Sequence, residues 1–161
     1  MKIVFLQAGG TIDKDYSVAK STYDFHIGEP AFKEIISIVR PVFETEFLSI
    51  LKKDSMDMND ADRELVLKKC KRIKNDKIII THGTDTMIDT AKKLSEIKDK
   101  TIVITGSAYP YKFKNSDANF NLGVAVGAIT ILEKGIYIAM NGRIYTWDKC
   151  KKHEDGKFFE K

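Results

Sequence analysis

A regular alternation runs through this chain and limits what it can fold into: short runs rich in β-branched residues are separated by longer stretches with helical period. The runs are KIVFL (2–6), TEFLSI (45–50), KIII (77–80), TIVIT (101–105) and IYIAM (136–140), with RIYT (143–146) as an added edge. Such alternation specifies a parallel sheet covered by helices. The near-continuous apolar runs specify strands buried on both faces. Pro30 suits a first helical turn, and Phe32, Ile35, Ile36 and Val39 follow helical spacing until Pro41 stops it. Asn59 or Asp60 is placed to cap a second helix, with Ala61, Leu65 and Cys70 near one face and Lys68, Lys69, Arg72 and Lys74 toward water. Met87, Ala91, Leu94 and Ile97 mark a third helix, and Phe120 through Leu132 a fourth. The expected fold is α/β with three layers, a mostly parallel sheet between helices on both faces, flavodoxin-like or Rossmann-like in type.

With 161 residues, 43% of them hydrophobic, the chain reads as one domain over 1–161. Its net charge of +4 is a weak basic bias and implies no nucleic-acid partner. The basic excess gathers near the end, where Lys149, Lys151, Lys152, Lys157 and Lys161 alternate with Glu154, Asp155 and Glu160, a pattern that usually forms solvated surface. Cys70 and Cys150 lack CxxC spacing and the three histidines are scattered, so neither a disulfide framework nor a metal site is expected. That usage fits a reduced, cytoplasmic setting. The apolar stretch at the start is shorter than the roughly 7–15 residues of a signal-peptide core, and no run suits a membrane span. The chain lacks GxGxxG and GxxxxGK[ST] patterns, and no cofactor is expected.

In a parallel sheet the loops after the strands' carboxyl ends line one edge, where open α/β folds place ligands. The oddest polar residues gather in those loops. Gln7-Ala8-Gly9-Gly10-Thr11-Ile12 follows the first strand, Lys53-Asp54-Ser55-Met56-Asp57 the second, Thr81-His82-Gly83-Thr84-Asp85-Thr86-Met87 the third, and Gly106-Ser107 the fourth. Gly9 and Gly10 permit a tight turn that presents Thr11 to a ligand, although a plain loop or a phosphate-binding turn is the commoner use of such a triplet. Thr84 and Asp85 stand at an expected helix start, where capping is the ordinary role. His82 reads as a histidine packed beside a strand end and is assigned no chemistry. Residues 11–28 and 108–117 fit no element, and long loops in compact domains are often functional.

Taken together, QAGGTI (7–12) and THGTDTM (81–87), after the first and third strands, resemble the two threonine motifs of the bacterial-type L-asparaginases. The resemblance extends through KSTY (20–23), DSMDMND (54–60), GSAYP (106–110), SDANFNL (116–122) and NGRIY (141–145) followed by Lys152, covering essentially the whole chain. It implies an amidohydrolase in which Thr11 is the nucleophile, Tyr23 in a mobile loop assists it, and residues 11–28 form a lid. The second motif implies that Thr84, Asp85 and Lys152 form a second group around the attacking water or nucleophile. Ser55 corresponds to the serine that takes the substrate carboxylate, and Met56 stands where secreted relatives usually carry glutamine. Gly10, Gly83 and Ser107 complete the implied substrate-binding set.

A threonine hydroxyl is a poor nucleophile until a base takes its proton, so the chemistry needs such company. Nearby cationic lysine favours an ionised oxygen, and backbone amides at the glycine turn and helix start suit a tetrahedral oxyanion. The implied course is acyl-enzyme formation, ammonia release and hydrolysis. Full family members are longer, with a second domain that lends polar residues to a neighbouring subunit; on this reading the chain is the amino-terminal catalytic domain without the carboxyl-terminal one, and it assembles as a homo-oligomer. Two alternatives stay open: a non-catalytic module that binds an amino acid or dicarboxylate, and one subunit of a larger amidase or transfer-RNA amidotransferase.

Overall fold

The computed structural model describes residues 1–16 and 24–161. Its central sheet has six strands in the order β4-β1-β5-β6-β7-β8: β1 (Lys2–Gly9), β4 (Glu44–Lys53), β5 (Lys77–Thr81), β6 (Thr101–Thr105), β7 (Gly135–Met140) and β8 (Arg143–Thr146). The first five run parallel and β8 pairs antiparallel with β7, so the added edge strand of the sequence pattern is present. Four helices connect the strands: α1 (Ala31–Val39), α2 (Asp60–Arg72), α3 (Met87–Leu94) and α4 (Ala118–Ile131). Two hairpins complete the fold, β2 (Lys14–Tyr16) with β3 (Phe25–Ile27) and β9 (Cys150–Lys152) with β10 (Phe158–Glu160).

Successive strand residues enter opposite cores. Val4, Leu6, Ile78, Ile80, Ile102 and Ile104 pack with Val66, Leu67 and Cys70 of α2 and with Met87, Ala91 and Leu94 of α3. Ile3, Phe5, Ile79 and Val103 pack on the other face with Phe32, Ile35 and Ile36 of α1 and with Leu122, Ala125 and Ile129 of α4. This is the expected three-layer α/β arrangement, and the period-2 geometry of strands explains why all-apolar runs are needed to build it.

Three local expectations are corrected. The second strand run, now β4, is a partly exposed edge rather than a strand buried on both faces. On α2, Ala61 and Leu65 face solvent while Val66, Leu67 and Cys70 are buried; β4 and β5 meet the helix on a face turned about one residue further along. Residues 11–28 contain the β2–β3 pair. The charged tail after Lys149 is exposed as expected and carries the short β9–β10 hairpin.

The order of strands positions the site. From β1 the chain moves outward to β4 and then returns past β1 to β5, so the direction of winding reverses between β1 and β5. Ligands in open parallel sheets bind beyond the carboxyl ends at such a reversal. The loops carrying Thr11 and Thr84 flank it.

Candidate active site

The Thr11 turn is shaped by close backbone contact. Gly9 and Gly10 have φ of 116° and 91°, a conformation that side chains rarely allow. A Cβ on Gly9 would strike the Lys53 carbonyl, and one on Gly10 would strike the Gly83 backbone. The Gly10 amide donates to the Lys53 carbonyl, 3.0 Å. The same crowding continues from Gly83, where a Cβ would collide with the Ser55 side chain. The loops after β1, β5 and β4 therefore lie stacked against one another. Thr11, half-buried, begins a single 3-10 turn that ends at Asp13.

Helix α3 starts at Met87, later than expected, and its cap position is Thr86. The Thr86 hydroxyl donates instead to the Ser55 carbonyl, 2.8 Å, tying the third-strand loop to the second. Thr84 and Asp85 are thus outside the helix and do not cap it. Lys152 Nζ donates to Thr84 Oγ1 at 2.9 Å and to Asp85 Oδ1 at 2.6 Å. Because Thr84 accepts from the ammonium, its own proton is available to donate. The Asp85 side chain is 49% exposed, so this ion pair faces the solvent side of the site.

Lys152 reaches that position from the β9–β10 hairpin. Cys150 and Phe158 are buried in the core on the α2–α3 face, and the Tyr145 hydroxyl donates to the Phe158 carbonyl, 2.8 Å. The charged run is solvated surface as expected, with Lys149, Lys151, Glu154, Asp155, Lys157, Glu160 and Lys161 exposed and Lys152 partly buried, while the apolar Cys150 and Phe158 anchor the hairpin that carries it.

The remaining candidates divide. Ser55 is fully buried, and its Oγ has no hydrogen-bond partner among the described residues. Such an unspent buried hydroxyl is uncommon. Met56, its neighbour, is 71% exposed. Ser107 is buried and its hydroxyl donates to the Tyr109 carbonyl, so it secures its own loop. Tyr23 lies outside the described residues. His82 is fully buried, with one ring nitrogen against the Gly83 carbonyl and the other against the Thr90 hydroxyl, both at 2.8 Å. Burial pushes its pKa down to about 4, and both ring nitrogens are already engaged within the fold.

One residue at the site is not singled out by the sequence pattern. Asp13 is 3% exposed, and burial pushes its carboxyl up to about 6 against hydrogen bonds from the Ala31 amide and the Thr81 hydroxyl. Its signal in the sequence is faint: an acid directly after Ile12 inside a glycine turn. Lys14 is equally inconspicuous; it pairs with Asp54 at 2.7 Å, joining the root of β2 to the residue before Ser55.

Residues 2–158 match the family model described as Asparaginase, N-terminal. Over 154 residues the chain is 31% identical to L-asparaginase 2 of Bacillus subtilis (strain 168), covering 88% of this chain and 41% of that protein. Over 82 residues it is 40% identical to a component of the glutamyl-tRNA(Gln) amidotransferase of Methanococcus vannielii, covering 50% of this chain and 19% of that one. The thermostable L-asparaginase from Thermococcus kodakarensis aligns with a TM-score of 0.86 at 27% identity, covering 99% of this chain and 51% of that one. The chain therefore spans between two fifths and about half of the length of the L-asparaginases it matches.

Proposed function

Since the chain belongs to the asparaginase family, we propose that it is an amidohydrolase that releases ammonia from L-asparagine or a similar small amide. Residues 1–161 act in this reading as one catalytic domain, assembled as a homo-oligomer in the cytoplasm. The observation that carries it is the junction of Lys152 with Thr84 and Asp85, residues 68 and 67 positions apart in sequence, beside a turn in which Gly10 lies against Gly83. Folding alone has no need to bring an ammonium, a hydroxyl and a carboxylate to the reversal point of the sheet.

In the proposed course, the Thr11 hydroxyl attacks the side-chain amide carbon while its proton leaves through Tyr23. Protonation of the amine nitrogen expels ammonia and leaves an ester on Thr11. A water held at the Thr84 hydroxyl then cleaves that ester, restoring the threonine and releasing the acid, so one water is consumed for each ammonia released. Lys152 favours the ionised oxygens along this path. The Gly10 and Gly83 loops supply amides toward the tetrahedral oxyanion. The Ser55 hydroxyl takes the substrate carboxylate, with Met56 at its open side and Ser107 shaping the opposite loop.

The test is ammonia release from L-asparagine and L-glutamine by the purified chain and by Thr11→Ala. Loss of release in the variant is expected; equal rates would remove Thr11 from the reaction. Calorimetric binding of aspartate with no turnover by the unaltered chain would favour the binding-module reading instead.

A further inference from the structure

The turn that carries Thr11 ends on a buried carboxyl to which the proposed reaction gives no task. Asp13 Oδ1 accepts the Ala31 amide at the start of α1, 2.8 Å, and Oδ2 accepts the Thr81 hydroxyl at the end of β5, 3.3 Å. The Asp13 carbonyl accepts the Gly28 amide, 2.9 Å, where the chain returns from β3. Gln7 Nε2 closes the ring by donating to the Gly28 carbonyl, 3.1 Å. Both feet of the β2–β3 hairpin, Asp13 and Gly28, are fastened at this one point.

We propose that Asp13 is the positioning residue of the Thr11 turn: its carboxyl fastens the first foot of the hairpin to β5 and to α1 while its main-chain carbonyl holds the second foot at Gly28, and the charge state of the carboxyl sets how firmly the hairpin stays docked. The catalytic consequence rests on the reading of Thr11 as nucleophile; the fastening itself does not.

The sign follows from burial. An ionised carboxylate is driven toward water and a protonated one tolerates the interior. Opening the hairpin hydrates Asp13, so opening is easier when the carboxyl is ionised, above about pH 6, than when it is protonated. The same cleft of about 330 Å³ holds Lys14 and Asp15 from β2, His26 from β3, and Lys112 from the loop before α4, while Lys52 on β4 attracts Asp13 weakly. On its α1 side, Glu29 and Glu34 are held ionised by Lys33 and Lys112. His26 lines the same cleft and is kept unchanged in every variant. Global melting is the wrong readout, because buried His82 opposes Asp13: His82 loses stability as pH falls through the range in which Asp13 gains it.

The deciding measurement is amide hydrogen exchange of β2 and β3 in the full chain at pH 5 and pH 7.5, corrected for the intrinsic rate. Protection in the unaltered protein is expected to fall about tenfold between the two, as linkage to a carboxyl that ionises on opening requires. Asp13→Asn keeps an acceptor for the Ala31 amide without the charge, and its protection is expected to be the same at both pH values and no lower than that of the unaltered protein at pH 5. Asp13→Ala is expected to lose protection at both. A flat profile in the unaltered protein overturns the proposal without any variant having to fold, and an equal fall in Asp13→Asn overturns it as well. In the ammonia assay, Asp13→Ala should lower kcat at least tenfold and Asp13→Asn should restore it. If Thr11→Ala releases ammonia as fast as the unaltered chain, the Thr11 reading fails while hydrogen exchange still decides the role of Asp13.

Discussion

The Lys152 side of the site is held by side chains and an apolar anchor, whereas the Thr11 side is held by backbone contact and one buried carboxyl. Lys152 depends on Phe158 and Cys150, buried in the core, and on its own bonds to Thr84 and Asp85. Thr11 depends on Gly10 pressed against Gly83 and on Asp13 at the far end of its turn. The first design fails when an apolar group is removed. The second tolerates little added volume and responds to charge. A site built in these two ways combines a rigid charged wall with a turn whose fastening depends on one carboxyl.

Substitutions on either side separate the two designs. The largest expected effect is that of Thr11→Ala, a loss of ammonia release on the order of 10³ or more, since under the proposed reaction it removes the nucleophile and with it the covalent path; steady-state kinetics against asparagine measure it. Next comes Phe158→Ala, expected to cost about 3 kcal/mol in urea unfolding and to free Lys152, while exchange of the β2–β3 amides stays as it was. A change in those amides would show that the two sides are not independently built. Lys152→Ala should lower kcat on the order of 10² with the fold intact, the scale of one lost charge-stabilising donor.

Asp13→Asn tests the other design through stability. The folded carboxyl sits at about 6 against 3.8 for the free group, so the Asp13 contribution to native stability grows as pH falls through 6 and stops growing below 3.8, and comparison with the variant cancels the opposing contribution of His82. Relative to the unaltered protein, the uncharged variant is expected to be nearly equal at about pH 4 and more stable by about 3 kcal/mol at about pH 8. Chemical denaturation at the two pH values gives the difference. The smallest effect is expected from Lys14→Ala, which breaks a surface pair with Asp54 and should cost under about 1 kcal/mol. A larger cost would make that pair a third fastening of the hairpin.

How far these features are legible in the chain depends on their range. The strands and helices carry local periods, so β5 and β6 fall within a residue of the runs KIII and TIVIT. The buried face of α2 is ambiguous from sequence because Leu65 and Leu67 both satisfy a helical stripe, and only the sheet beneath decides between them. Thr84 looks like the start of α3, but the Thr86 hydroxyl takes a carbonyl 31 residues away, a partner that no local pattern contains. The β9–β10 hairpin reads as a charged tail because three-residue strands carry too short an alternation to register. Asp13 is hidden in a similar way: an acid in a turn looks solvated until α1 and β5 close over it.

Local pattern is enough to specify the layered α/β fold, the order of the loops and the identity of the polar residues at the sheet's carboxyl edge, because periodicity and composition act over a few neighbouring residues. It takes the closed fold to bring Lys152 to Thr84 and Asp85, to lean Gly10 on Gly83, and to bury the carboxyl of Asp13. Those contacts join residues far apart in sequence, and their energies come from packing and desolvation, which no single segment possesses alone.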